Sequence, residues 1–172
     1  MGLSGKKCSN FTAQKEKMMN YPIGQYECKL DSKGRLMMPS DCKEQLGSLA
    51  DEGFVLRPGL FSKCLEMYTM SDWKRTQEKL GSLNQFNRSN VEFVRKYNAG
   101  AKLVKLDANG RLQIPKDLLE KGGLQKEVVL TSLTVKMELW DKDAYNAVID
   151  EMDEATFEQL ATEKLGDLNF NG

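Results

Sequence analysis

Histidine is absent from the 172 residues. That removes the commonest general base at neutral pH and the commonest transition-metal ligand together. Cysteine is scarce: Cys8, Cys28, Cys42 and Cys64 form no C-x-x-C pair, so their spacing argues against a zinc site. Net charge is missing too, with 25 basic and 25 acidic residues. A chain without a basic surplus makes a weak non-specific nucleic-acid binder. No apolar run approaches the ~20 residues of a membrane-spanning helix, and none follows Lys6 and Lys7. The expectation is a cytoplasmic protein with no enzymatic activity, no metal and no cofactor.

What is present is ordinary in bulk and uneven in detail. The apolar share of 40% suits a globular chain, long enough for one or two cores without disulfide or metal staples. Cys28 and Cys42 read as small core residues of a reducing compartment. After Ile149 there are seven acids and only Lys164 as a base, which leaves 24 bases against 18 acids before it. The body is mildly basic and the tail acidic. The polar stretch 1–23 shows no periodicity and is expected to be a flexible arm, with Met18 or Met19 a candidate true start.

The dominant feature is a repeat. LDSKGRLMMP (30–39) returns as LDANGRLQIP (106–115), identical at six of ten positions. Before the first copy, YECKLD (26–31) alternates Tyr26, Cys28 and Leu30 with Glu27, Lys29 and Asp31, the pattern of a half-buried strand. Asp31 can accept backbone N–H bonds two residues on, and Gly34 supplies the positive φ that closes a turn. RLMMP resumes a strand, 40–46 is a short helix stopped by Gly47, and FVLRPG and CLEMY are strands. Ser71 is expected to N-cap a helix carrying Trp73 and Leu80. The second copy retraces this: AKLVKLD, the turn around Asp107 and Gly110, RLQIP, a helix over 116–121, EVVLTS, VKMELW, then a helix over 143–152. In that last helix Tyr145, Val148, Ile149 and Met152 are expected to face inward. Leu83, Phe86, Phe93, Val94 and Tyr97 fit one or two bridging helices.

Each unit has only four short strands, too few to bury both faces alone. Two units sharing a closed barrel would remove their edges. The expected organisation is an arm over 1–23, repeats over 24–80 and 101–152, a helical linker over 81–100, and an acidic tail over 153–172.

The turn supports two readings. Arg35 can fold back on Asp31 as an exposed hairpin pair, contributing on the order of 0–1 kcal/mol. Alternatively, Asp31 and Asp107 fix the turns and orient Arg35 and Arg111, whose remaining donors meet phosphate or a guanine edge. Lys29, Lys33 and Lys105, with Asn109 opposite Lys33, would flank them. Two small patches per chain bind weakly, so strong binding to double-stranded DNA requires several copies in register.

LDSKGRLMMP and LDANGRLQIP resemble the paired signature of the MraZ family of bacterial transcriptional regulators, and more distantly the AbrB and MazE swapped-hairpin DNA-binding domains. The likeness spans about 24–152, including PGLFSKCLEMYTMSDW, NQFNRSNVEFVRKYNAGA and ELWDKDAY. It implies an α+β double-split β-barrel of two tandem repeats with flanking helices, assembling into a ring-shaped homo-oligomer. It also implies a nucleoid-associated repressor of the division and cell-wall gene cluster at whose head it is encoded, bound to direct repeats in its own promoter. Asp31, Arg35, Asp107 and Arg111 are the motif residues carried over, with Gly34 and Gly110 closing the turns.

Other constellations read as structural. Glu66 and Glu138 occupy equivalent positions and are expected to be exposed or paired at a subunit contact rather than catalytic. Met37, Met38, Met67 and Met70 fill core and interface gaps. Trp73 and Trp140 read as packing. The rival classes are an antitoxin-like protein-interaction barrel with little affinity for DNA, and a barrel enzyme lacking an evident base or nucleophile.

Overall fold

Alternation along the first strand is what the chain builds on: Tyr26 and Cys28 are half-buried while Gln25, Glu27 and Lys29 are exposed. The computed structural model describes residues 21–166; most of the expected arm and the last residues of the tail lie outside them. Tyr21, inside the stretch read as an arm, packs against the core. The strands are β1 (Gln25–Lys29), β2 (Arg35–Met37), β3 (Phe54–Pro58), β4 (Leu65–Thr69), β5 (Lys102–Val104), β6 (Arg111–Gln113), β7 (Glu127–Ser132) and β8 (Met137–Asp141). The helices are α1 (Ser40–Leu46), α2 (Leu49–Glu52), α3 (Met70–Gly81), α4 (Arg88–Asn98), α5 (Lys116–Gly122), α6 (Lys142–Glu151) and α7 (Glu154–Leu165).

The strands form an antiparallel six-stranded sheet in the order β1-β7-β8-β4-β3-β5 and a separate β2–β6 ribbon. The two copies are interleaved: β1 pairs with β7 of the second copy, and β5 with β3 of the first. The copies meet centrally at β4–β8, where Glu66 lies opposite Glu138. Neither copy completes a sheet alone, because each lends its first strand to the other.

The expected closed barrel does not form among the described residues, since the six-stranded ladder ends at β1 and β5. The cause is the Asp-x-x-Gly turn. It redirects the chain so sharply that β2 and β6 leave the sheet and pair with each other. Only single bridges, Leu30–Leu36 and Leu106–Leu112, connect them back. The core collects beneath this crossing, with Leu36, Leu112, Ile114, Leu118, Phe54 and Leu56 fully buried. At roughly 1.5–3 kcal/mol per buried large apolar side chain, this shared core is the main source of stability.

Several local expectations change. The N-cap of α3 is Thr69, whose hydroxyl accepts from the Asp72 amide, and not Ser71. The linker holds a single helix, α4, capped by the Asn87 side chain on the Ser89 and Asn90 amides. Val135 stays outside β8 and exposed. Cys42 is buried and Cys28 half-buried; burial pushes the Cys42 thiol up to about 12, so it is an inert core group.

Glu66 is the largest departure: it is buried rather than exposed. Its carboxylate accepts from Arg57 Nη1 (2.6 Å), Lys136 Nζ (2.7 Å) and Tyr68 Oη (2.9 Å). Arg57 Nε donates to the Tyr97 carbonyl (2.8 Å), and its guanidinium lies 4.4 Å from the Tyr97 ring centroid. Trp73 packs edge-on against Tyr68 and stacks on Tyr97, so aromatics from α3 and α4 cover this outer face of the sheet. Period-2 alternation places Glu66 on that face but cannot say that helices roof it.

The chain divides into two compact units, Met1–Asp141 and Lys142–Gly172. The second, taken by itself, holds α6 and α7, the latter capped by Asp153 on the Thr156 amide. No residue of either helix is buried. Val148, Ile149 and Met152, expected inward, are exposed. A 3.6-residue period marks an apolar stripe without naming its cover.

Candidate nucleic-acid interface

Both turns are built from the same short code. Asp31 Oδ1 accepts from the amides of Lys33 and Arg35, each at 2.9 Å, and Oδ2 from Arg35 Nε at 2.6 Å. Asp107 Oδ1 accepts from Asn109 N (2.8 Å) and Arg111 N (3.0 Å), and Oδ2 from Arg111 Nε (3.1 Å). The Asp carbonyl accepts from the glycine amide at 3.0 Å in both copies. Gly34 and Gly110 adopt φ of 74° and 76°, which an L side chain reaches only with strain. One carboxylate thus sets two backbone amides and one guanidinium.

The donor accounting decides what the arginines offer. Each engages its aspartate through Nε alone, and neither Nη group has a partner among the described residues. The side chains are 26% and 27% exposed for Arg35 and Arg111. The guanidiniums are therefore fixed at one edge, with the fork that matches phosphate or guanine left open. The Arg35 amide, joined by its guanidinium and the Lys33 amide, holds the Asp31 carboxyl below the usual aspartate range. Asp107 is lowered in the same way, first by the Arg111 amide.

The two turns, expected as separate surface patches, are joined by one ribbon. Arg35 lies opposite Gln113 and Arg111 opposite Met37, with Leu36 and Leu112 paired between them. Alternation turns both leucines into the core, so Arg35, Met37, Arg111 and Gln113 share the outer face. Strand geometry makes the two arginines diagonal neighbours, roughly 7–8 Å apart. Each turn is also bonded to the other copy, Ile114 N donating to the Gly34 carbonyl and Met38 N to the Gly110 carbonyl, both at 3.0 Å.

The flanking residues divide. Lys33 and Asn109 are exposed at the turn tips. Lys29 is exposed on β1, opposite Glu127 in register. Lys105 is exposed, its stem passing 2.9 Å from where a Cβ on Gly53 would stand. Gln113 was not anticipated: its Nε2 donates to the Lys33 carbonyl at 2.8 Å, pinning the first turn. Its signal lay in the copies themselves, since Gln113 answers Met37, which is 53% exposed.

Two interleaved copies that present aspartate-braced arginines on one β-ribbon define a two-repeat α+β protein with a cationic ribbon face. The family model described as "MraZ protein, putative antitoxin-like" matches residues 23–96 and again 98–168. The chain belongs to the MraZ family, the one its two motifs resemble. A protein of Flavobacterium psychrophilum named Transcriptional regulator MraZ is 45% identical over 151 residues, 88% of this chain and 96% of that protein. A protein of the same name from Christiangramia forsetii is 44% identical over 150 residues, 87% and 96% of the two chains. These names point away from an enzyme. Among the described residues no helix is long and apolar enough to cross a membrane.

Proposed function

We propose that the chain is a sequence-specific DNA-binding transcriptional regulator. The observation that carries this is the pair of arginines on one ribbon, each braced through Nε and each with an open Nη fork. A two-stranded ribbon is narrow enough for the major groove, and a fixed guanidinium is the commonest reader of guanine there. Arg35 and Arg111 contact DNA, Asp31 and Asp107 position them, and Lys33, Asn109, Lys29 and Lys105 flank the contact. The names of the relatives support the regulatory role.

The finer reading is a cytoplasmic, nucleoid-associated repressor of its own division and cell-wall cluster, acting as a ring on promoter direct repeats. A double-split barrel is supported by the bridges that tie β2 and β6 back to β1 and β5. Oligomerisation is supported by large apolar side chains left in water, Phe61, Phe86 and Ile149 among them. Gel-shift titration of Arg35→Ala and Arg111→Ala against the DNA upstream of its own gene tests the reading. Weakened binding with a shallower salt dependence is expected; unchanged affinity and slope in both variants would overturn it.

A further inference from the structure

The two turns match in their Asp, Gly and Arg but differ in what surrounds them, and the differences are paired. At the third turn position the first copy has Lys33 and the second Asn109. Behind each turn stands the fourth residue of the other copy's short helix. Leu119 of α5 backs Gly34, its Cδ1 2.8 Å from where a Cβ would stand. Lys43 of α1 backs Gly110, its Nζ 3.8 Å from the corresponding point. Lys43 and Leu119 occupy equivalent repeat positions, as Lys33 and Asn109 do. The turn that contains a lysine is thus backed by a leucine, and the turn that lacks one is backed by a lysine.

Within the fold Lys43 serves only as the cation of the last turn of α1, where it suits the helix's negative end. Lys43 is exposed and its ammonium makes no ion pair among the described residues. Along α1 the positions three and four away are Ser40, Pro39, Leu46 and Gly47, so no acid stands where a helix would pair it. Its equivalent, Leu119, packs against the core. The first copy has therefore exchanged an apolar contact for a cation beside the opposite turn.

We propose that Lys43 is a DNA-contacting residue of the second turn, meeting a backbone phosphate beside Arg111. This rests on the reading of the ribbon as the DNA-binding face. Lysine is a compact point charge with three donors, suited to phosphate, which fixes register and carries no sequence. Asn109, relieved of that task, has the amide that pairs with an adenine edge. The two turns then carry equal charge by different routes, one within the turn and one borrowed across the copies.

The test is anisotropy titration at several salt concentrations, on the upstream DNA and on an unrelated duplex. The variants are Lys43→Ala, Lys43→Arg, Lys43→Ala with Asn109→Lys, Arg35→Ala and Arg111→Ala, with melting temperatures measured in parallel. Lys43→Ala is expected to weaken binding to both duplexes alike and to lower the salt slope by about 0.9 per DNA-bound chain. Lys43→Arg should keep the slope, and Asn109→Lys should restore it in the Lys43→Ala background, at unchanged melting temperature. Wild-type affinity and slope in Lys43→Ala, with binding lost in the arginine variants, overturns the proposal and leaves the ribbon reading standing. Loss of affinity at an unchanged slope, or without rescue by Asn109→Lys, also overturns it. Wild-type binding by the arginine variants would instead remove the reading on which it rests.

Discussion

Two arginine–carboxylate pairs in this chain have the same length and opposite characters. Arg35–Asp31 and Arg57–Glu66 each close at 2.6 Å, but the first pair is 26% and 35% exposed and the second 3% and 3%. Arg57 spends Nε on a backbone carbonyl, Nη1 on the carboxylate and its face on an aromatic ring. Arg35 spends Nε only. Distance does not distinguish an arginine spent within the fold from one with donors still to offer; the count of donors left over does. The buried pair also ties β3 and β4 of the first copy to α4 and to Lys136 of the second. It joins the copies from the side away from the ribbon.

The comparison breaks most visibly if one member of the buried pair is removed. Arg57→Ala leaves Glu66 buried with Lys136 as its one charged partner and the Tyr68 hydroxyl beside it, and is expected to cost about 3–5 kcal/mol in denaturant unfolding. Arg35→Ala should cost less than about 1 kcal/mol in the same assay. Replacing Arg57, Glu66 and Lys136 together by apolar residues of similar volume should recover most of the loss, because no buried charge is then left short of its hydrogen bonds. Equal losses from Arg57→Ala and Arg35→Ala would mean that burial does not separate the pairs.

For DNA the order reverses. Arg35→Ala and Arg111→Ala should each lose about 1–3 kcal/mol of binding and relax specificity at one base position, while Arg57→Ala in its folded fraction should not. Asp31→Ala sharpens the point from the other side. It strips two backbone amides of their acceptor, so it should destabilise by about 0.5–2 kcal/mol, more than Arg35→Ala, and weaken DNA binding through the released guanidinium.

The turn was legible because its chemistry is local. Asp, Gly and Arg within five residues determine the hydrogen bonds that close LDSKGR on itself; those from Gln113 and Ile114 come from the other copy. Most strand and helix identities were legible for the same reason, down to α1 at Ser40–Leu46, but α2 at Leu49–Glu52 and α7 within the expected tail were not. What pairs with what was not. That β2 meets β6, that Lys43 stands behind Gly110 and that α3 and α4 roof Glu66 are long-range facts. A signal did exist for the last of these. Arg57 faces Glu66 in register and Tyr68 shares its side of the strand, a polar cluster that alternation alone assigned to solvent.

Acid separates the pairs more gently. Burial pushes the Glu66 carboxyl up, but the hydrogen bonds from Lys136 and Arg57 outweigh it and hold the group below its usual value. Asp31 and Asp107 are lowered as well. A carboxyl depressed by folding stabilises above its unfolded value, about 4.3 for glutamate, and loses that contribution as pH falls through the folded one. Unfolding free energy should therefore decline from about pH 5 downward, and Glu66→Gln should flatten that limb. The turn aspartates should instead be seen locally. The Arg35 and Arg111 amide resonances should titrate below the ordinary aspartate range while the sheet remains folded. A global transition coincident with those amides would remove the distinction.

The smallest effect expected is the one that separates the turns themselves. Gln113 pins the Lys33 carbonyl of the first turn, and at the equivalent place Met37 has no amide to offer Asn109. Gln113→Met removes the exposed hydrogen bond to Lys33 and a longer one to the Ile114 carbonyl (3.3 Å), together worth about 0.5–1.5 kcal/mol. Its clearest reading is not the melting curve but hydrogen exchange. The amides of Lys33 and Gly34 should lose protection in Gln113→Met, while those of Asn109 and Gly110 should not change. Met37→Gln should do the converse and slow exchange at the second turn, because the β2–β6 register that carries Gln113 to Lys33 carries residue 37 toward Asn109 by the same pseudo-symmetry. If Met37→Gln leaves the second turn as it was, the copies differ in backbone and not only in the side chain at this position.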